Sequence, residues 1–338
     1  MRDTTWIKAA VLRELNTPLS IEALQLPGEL LVGQVLVDVR TSSICGAQLG
    51  EISGAKGTDP YLPHLLGHEG AGIVEACGPG VTQVKPGDHV VMHWRKGKGL
   101  NAEPPRYWRD GEAVGGGWIT TFNTGAIVSE NRLTAIDPNV PFDIAALMGC
   151  AVTTGFGIVT KEAKLLPGQS LLVAGCGGVG LNVIQAAKML GAHVTAVDLS
   201  LSRRVMASRF GAYSVMERMP DWRDSKFDVF VDCTGASSVI ESGIYSAHKT
   251  ILVGQPRADS QFFFHHPREL YSGKIIMDSQ GGSTDPNGDI PRYLSAYMNG
   301  DLVDLDSLIT HRFKLDEINT ALDMMREGIT GKCILEMN

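Results

Sequence analysis

Val173-Ala174-Gly175-Cys176-Gly177-Gly178-Val179-Gly180 is the stretch on which the fold turns. A short apolar run, Ser170 to Ala174, leads into it. Behind it, Leu181 to Leu190 carries apolar residues at helical spacing, and Gly191 is placed to end that helix. Strand, glycine turn and helix in that order form the unit in which a dinucleotide pyrophosphate rests on unpaired amides at a helix start. Gly175 permits the tight turn, Gly177 lets the backbone approach the pyrophosphate, and Gly180 lets the helix pack close to the sheet; Gly178 and Val179 complete the loop. The next strand, His193 to Asp198, ends on an acid where a carboxylate bonds the adenosine ribose and repels a 2′-phosphate, which favours NAD over NADP. The plainer alternative is a glycine-rich turn in another α/β protein, with Asp198 capping a helix. The strand, helix and acid around the glycines weigh against it.

Outward from the loop, a helix spans about 201–210 and ends near Gly211, and further strands read at 229–233 and 250–254. Strands alternating with helices imply a doubly wound parallel sheet over 151–285. Residues 1–150 read differently. Short β-type runs at 34–40, 72–76 and 89–93 are separated by Gly78-Pro79-Gly80 and Pro86-Gly87-Asp88, the pattern of a compact β-rich domain. From about 286 come a helix near 290–299, an amphipathic stretch from Leu315 to Arg326 and a closing strand at 332–337. Periodicity does not say whether this tail rejoins the first domain.

The bulk numbers exclude several classes. A chain of 338 residues holds roughly two domains. With 43% apolar residues, 20% charged residues and a net charge of −7, it has the balance of a globular protein with no overall pull toward nucleic acid. No apolar run reaches the roughly 18 residues that span a bilayer. Met1 to Trp6 lacks the apolar core of a signal peptide, so a cytoplasmic protein without membrane partners is expected, its six cysteines as reduced thiols.

Four metal-capable side chains precede the glycine loop: Cys45, the adjacent His68 and Glu69, and Cys150. Thiolate and imidazole suit zinc, and a catalytic zinc keeps three protein ligands and one open position. The separations are too long for spacing to group them, and taken singly a cysteine or histidine is more often a core residue.

Other stretches assemble them. Ile44-Cys45-Gly46, Leu66 to Val74, Val84 to Val90, Gly149 to Gly155 and the glycine loop, in this order and at these intervals, resemble the medium-chain zinc-dependent alcohol dehydrogenases along nearly the whole chain. The resemblance implies a GroES-like catalytic domain from 1–150 completed by 286–338, with a Rossmann domain at 151–285. It implies one catalytic zinc on Cys45, His68 and Cys150, the Cys₂His set of alcohol dehydrogenase, with Glu69 beside it as a transient ligand or a neighbouring carboxylate. It also implies that Thr154 faces the nicotinamide, that Asp198 and Arg203 hold the ribose, that Val253 and Gly254 line the nicotinamide pocket, and that Lys332 reaches the pyrophosphate. For Arg203 and Lys332 a solvated surface cation is the alternative. Relatives are commonly homodimers or homotetramers acting on a small-molecule substrate.

The chain departs from that family in two places. Residues 93–120 contain no cysteine, where many members place four around a structural zinc, so one zinc is expected. Ala47 stands where relatives carry the Ser or Thr that passes the alcohol proton on; Gly46 replaces a cation and Gly50 the histidine that often ends the relay. His64, His93 and Glu69 are the candidate substitutes. His93, Trp94, Trp118 and Phe122 are pocket candidates by position. Arg95, Lys96, Lys98, Arg106 and Arg109 make that segment basic, which suggests a polar, sugar-like or anionic substrate; a solvated loop accounts for the charge equally well.

The leading expectation is a zinc-dependent oxidoreductase moving a hydride between NAD and an alcohol or carbonyl substrate. Ala47 keeps open a zinc- and NAD-retaining lyase or isomerase without net redox. A non-catalytic binding protein on an enzyme scaffold is a third reading, against which the intact ligand set argues. Zinc-free quinone and enoyl reductases share the architecture but generally lack that set.

Overall fold

The computed structural model describes residues 5–224, 226–302 and 305–337. Met1 to Thr4, read above for the absence of a leader, lie outside these. The chain forms two compact units: one runs to Cys150 and resumes at Asp285, and the other is Ala151–Thr284.

In the first unit, Trp6–Leu12, Ser20–Gln25, Arg106–Arg109, Glu112–Gly115 and His64–Leu65 close a small barrel. Ile7, Ala9, Val11, Leu24, Leu65 and Tyr107 fill one apolar cluster there, as alternation along the strands dictates. A second sheet has the order Leu133–Ile136, His89–His93, Glu69–Cys77, Gln34–Ile44, Lys332–Glu336, Ile309–Lys314, with Gly125–Ser129 also paired to Gln34–Ile44. The tail therefore completes this sheet: Cys333 faces Ile44 and Glu336 faces Thr41 in antiparallel register. Val35, Val37, Val39, Val74, Val90 and Met92 pack beneath it with Phe122, Ile318 and Leu322, where the amphipathic stretch lays down its apolar face.

The second unit is a six-stranded parallel sheet in the order Ser214–Met216, His193–Val197, Ser170–Ala174, Phe227–Asp232, Ala247–Leu252, Ile275–Asp278. The order doubles back from the Ser170–Ala174 strand, so the carboxyl ends of Ser170–Ala174 and Phe227–Asp232 lie side by side at the switch point where such sheets bind ligands. The helix predicted from Leu181 starts three residues earlier, at Gly178, and runs to Met189; the one expected at about 201–210 spans Leu201–Phe210, with Gly211 left-handed at its end. The edge strand Ile275–Asp278 has no counterpart in the sequence reading, because its four residues are too few to show a period.

Candidate active site

Three segments of the first unit meet at Cys45, His68 and Cys150. Cys45 ends the Gln34–Ile44 strand and stands just before the helix Gly46–Ile52. His68 sits in the turn between His64–Leu65 and Glu69–Cys77. Gly67 in that turn has φ +91°, and a Cβ there would lie 2.4 Å from Thr121 Oγ1 and 2.8 Å from the Phe122 nitrogen, so only glycine lets the turn close. Gly149 does the same for Cys150: its Cβ would lie 2.4 Å from the Met92 carbonyl oxygen.

The ligand-capable atoms of Cys45, His68 and Cys150 all lie within 4.8 Å of one another, and the two sulfurs are 4.0 Å apart. With metal–sulfur bonds of about 2.3 Å, a tetrahedral ion spaces two sulfurs by about 3.8 Å, so the trio fits zinc with little adjustment. Among the described residues it is the only group of three or more such side chains drawn together. Cys150 is buried while Cys45 and His68 are half-buried. The hydrogen bond from Cys150, with the nearby imidazole, holds the Cys45 thiol well below its ordinary pKa, and the same contact pushes Cys150 up; two sulfurs share one proton.

Glu69 stands outside the mutual cluster. It is fully buried, with Oε1 paired to the Lys332 ammonium and Oε2 without a hydrogen-bond partner. Lys332 also donates to the Ile44 carbonyl at 3.1 Å. Burial pulls the Lys332 pKa down, but Glu69 and the two sulfurs outweigh it and raise it. Lys332 is 3% exposed as a residue, and its ammonium is paired with Glu69.

Two pocket expectations are corrected. His93 is 1% exposed, with Nδ1 on the Arg95 carbonyl at 2.7 Å and Nε2 on Thr134 Oγ1 at 3.0 Å. Burial pushes its pKa down to about 4, so it is a neutral core histidine. Phe122 is fully buried in the core of the first unit. Both belong to strands or turns whose inward face the sequence did not identify. Trp94 is half-buried with the Arg95 guanidinium 5.7 Å from its ring, and Trp118 is exposed with Arg132 over it at 5.8 Å. His64 is engaged at both ring nitrogens, by the Leu65 carbonyl at 2.9 Å and by Asp59 at 2.8 Å. Arg109 is bound to Glu22 at 2.8 Å, whereas Lys96, Lys98 and Arg106 are exposed.

The cysteine-free segment is fastened by a carboxylate. Glu130, fully buried, accepts from the amides of Thr82 at 2.5 Å, Gln83 at 2.7 Å and Leu100 at 2.6 Å. Burial works against its charge, yet these amides hold its pKa below the ordinary value. No sequence pattern announces such a role.

In the second unit the glycine loop is shaped by close approach. Gly175 has φ +89°, a Cβ on Gly180 would lie 1.9 Å from the Gly175 carbonyl oxygen, and a Cβ on Gly177 would meet nothing within 4 Å. That is a tight turn at Gly175, an open approach at Gly177 and a helix pressed on its strand at Gly180. Asp198 accepts from the amides of Cys176 at 2.8 Å and Ser200 at 2.9 Å, so the loop and the acid are locked together. Arg203 Nε is buried without a partner and its charge is felt at Cys176; Thr154 Oγ1 is likewise buried and unpartnered. Asp232, not singled out by sequence, sets the neighbouring turn. Its carboxylate accepts from Thr234 Oγ1 at 2.6 Å and the Gly235 amide at 3.0 Å, and its carbonyl from the amides of Val253 at 2.8 Å and Gly254 at 3.0 Å.

Comparison with known proteins assigns the whole. The family model described as "Alcohol dehydrogenase GroES-like domain" matches residues 32–138, and "Zinc-binding dehydrogenase" matches 178–295. The chain belongs to the zinc-binding, medium-chain alcohol dehydrogenase family. It is similar to the alcohol dehydrogenase class-3 of Cereibacter sphaeroides, 32% identical over 95% of this chain and 97% of that protein. It is also similar to the S-(hydroxymethyl)glutathione dehydrogenase of Saccharomyces cerevisiae, 30% identical over 97% of this chain and 95% of that one. Among solved structures, benzyl alcohol dehydrogenase from Acinetobacter calcoaceticus superposes with a TM-score of 0.86 at 27% identity, covering 99% and 100% of the two chains. This member is thus a zinc-dependent oxidoreductase of the alcohol dehydrogenase type acting on a small molecule. Nothing found supports the lyase or isomerase alternative. No helix among the described residues is long and apolar enough to cross a membrane.

Proposed function

We propose that this dehydrogenase uses a single zinc held by Cys45, His68 and Cys150, with NAD on the glycine loop, to interconvert a polar alcohol and its carbonyl. The approach of the three ligand-capable atoms to within 4.8 Å carries the reading. Zinc bound there supplies Lewis-acid polarisation of the substrate oxygen. Asp198 and Arg203 bind the ribose, and Val253, Gly254 and Thr154 line the nicotinamide pocket. Lys332 neutralises Glu69, so the buried carboxylate adds no net charge beside the two sulfurs. With Ala47 unable to relay a proton and both nitrogens of His64 and of His93 engaged, the substrate proton leaves to water beside the half-buried Cys45 and His68.

Exposed Lys96 and Lys98 favour a polar or anionic substrate, and both their side chains sit on a loop whose Lys98 amide is pinned to Asn287 Oδ1 at 2.6 Å. The homo-oligomer we infer has its support in the edge strand Ile275–Asp278, where Ile275 and Ile276 are exposed, and in the exposed Phe263 and Phe264; light scattering on the purified chain measures it. For the activity, the metal-stripped chain is assayed for NADH formation at 340 nm over polyols, sugars and hydroxymethyl thioethers. Activity returning in proportion to zinc and levelling at one equivalent per chain is expected. Full turnover without metal defeats the proposal.

A further inference from the structure

Gln48 lies in the first turn of the helix Gly46–Ile52, 2% exposed, against His68. The orientation of a carboxamide is usually ambiguous, but here two neighbours settle it. The Gly67 amide can only donate, and it lies 2.7 Å from Gln48 Oε1. The Glu51 carboxylate can only accept, and its Oε2 lies 2.7 Å from Gln48 Nε2. Lys56 Nζ, 2.7 Å from Glu51 Oε1, holds that carboxylate in place. Both contacts demand the same orientation, and it leaves Nε2 donating to His68 Nδ1 at 3.0 Å. A ring nitrogen that accepts a hydrogen bond carries no proton.

A histidine that ligates a metal normally gives its other N–H to an acceptor, which fixes the ring and strengthens it as a ligand. Gln48 presents a donor at that place. Ligation through His68 Nε2, with the proton on Nδ1, sets two N–H groups against each other unless the amide swings over and abandons Gly67 and Glu51. Ligation through Nδ1 displaces Gln48 outright. We propose that Gln48, clamped by Gly67 and Glu51, is a positioning residue that holds His68 with a bare Nδ1 and thereby weakens the metal centre's hold on its ion. The effect is an ion that exchanges more readily than the ligand set alone would allow. The inference rests on the metal reading given above.

The test exchanges amide and acid at constant charge. Gln48→Glu combined with Glu51→Gln puts an acceptor behind His68 and keeps a donor at position 51. Zinc affinity of the intact chain is measured by chelator competition, and the ring protons of the metal-free chain by nitrogen-resolved NMR of its imidazoles. Thermal unfolding and NAD binding report whether the double variant is folded. The proposal expects the zinc dissociation constant to fall about tenfold or more, the size usual for partners behind a ligand, with His68 changing from a bare to a protonated Nδ1. Glu51→Ala, which frees the amide to turn, moves affinity the same way by less. Equal zinc affinities in a folded double variant, or a protonated Nδ1 in the original chain, would overturn the proposal while leaving the metal reading intact. Zinc binding to neither protein would overturn both.

Discussion

Two turns led by glycine do opposite work. At Gly175–Gly180 the glycines lack side chains so that backbone can be presented: open space at Gly177, contact of Gly180 with the Gly175 carbonyl, and the Cys176 amide facing the Asp198 carboxylate. At Gly67-His68 the glycine is hidden against Thr121 and Phe122 so that one side chain can be presented to two sulfurs from distant parts of the chain. The first site is contiguous and made of amides; the second is made of side chains from two strand ends and from the turn between the helices Phe142–Leu147 and Ala151–Gly157. Each is held inside its own unit of the fold, so each breaks in its own way.

Cys150→Ser and Cys45→Ser give the largest effect. Losing the ion's polarisation is worth about 4 kcal/mol or more, a fall of about 10³-fold in kcat/KM, while NAD affinity by calorimetry stays within about twofold. If NAD affinity fell in step, the two sites would not be separable. Next come the glycines themselves. Gly180→Ala places a methyl 1.9 Å from a carbonyl oxygen, and overpacking of that kind costs about 1–3 kcal/mol; weakened NAD binding with normal zinc content is expected. Gly67→Ala, with φ at +91° and a contact of 2.4 Å, shows the reverse: zinc is lost and NAD still binds. Asp198→Asn removes the charge that repels a 2′-phosphate and shifts the ratio of NADP to NAD use by about tenfold, equal to about 1.4 kcal/mol.

Glu22, apart from both turns, gives the smallest effect. Its buried carboxylate is gripped by Arg13 and Arg109; burial opposes its charge, but the guanidiniums prevail and hold its pKa down to about 2. A carboxylate with a depressed folded pKa contributes stability above its unfolded pKa of about 4.5 and loses it as the pH falls toward about 2. Thermal unfolding followed across that window falls in the native chain. In Glu22→Gln it starts lower and the slope is shallower; an unchanged slope would show that Glu22 is not the group being protonated.

The same contrast explains what could be read before the structure. The glycine loop, Asp198 and the helix at 201–210 were legible because strand, turn and helix signals are local. Cys45, His68 and Cys150 were visible as residue types, but only resemblance grouped them, since no spacing rule links positions that meet through a folded sheet. Gln48, Glu130 and Asp232 were missed because an amide or acid looks the same in sequence whether it faces solvent or buried hydrogen-bond partners. His93 and Phe122 were misplaced for a related reason: position in the chain located them near the site, but not the face of the sheet toward which they point. The pairing of Lys332 with Glu69 was not visible in the sequence, because the two are 263 residues apart.

The most direct measurement is zinc K-edge X-ray absorption on the purified chain together with its metal content. The account predicts one zinc per chain, with two sulfurs at about 2.3 Å and one imidazole nitrogen at about 2.0–2.1 Å, the remaining scatterer being a light atom. A shell of nitrogen and oxygen alone, four sulfurs, or zinc bound undiminished after Cys45→Ser and Cys150→Ser would contradict it.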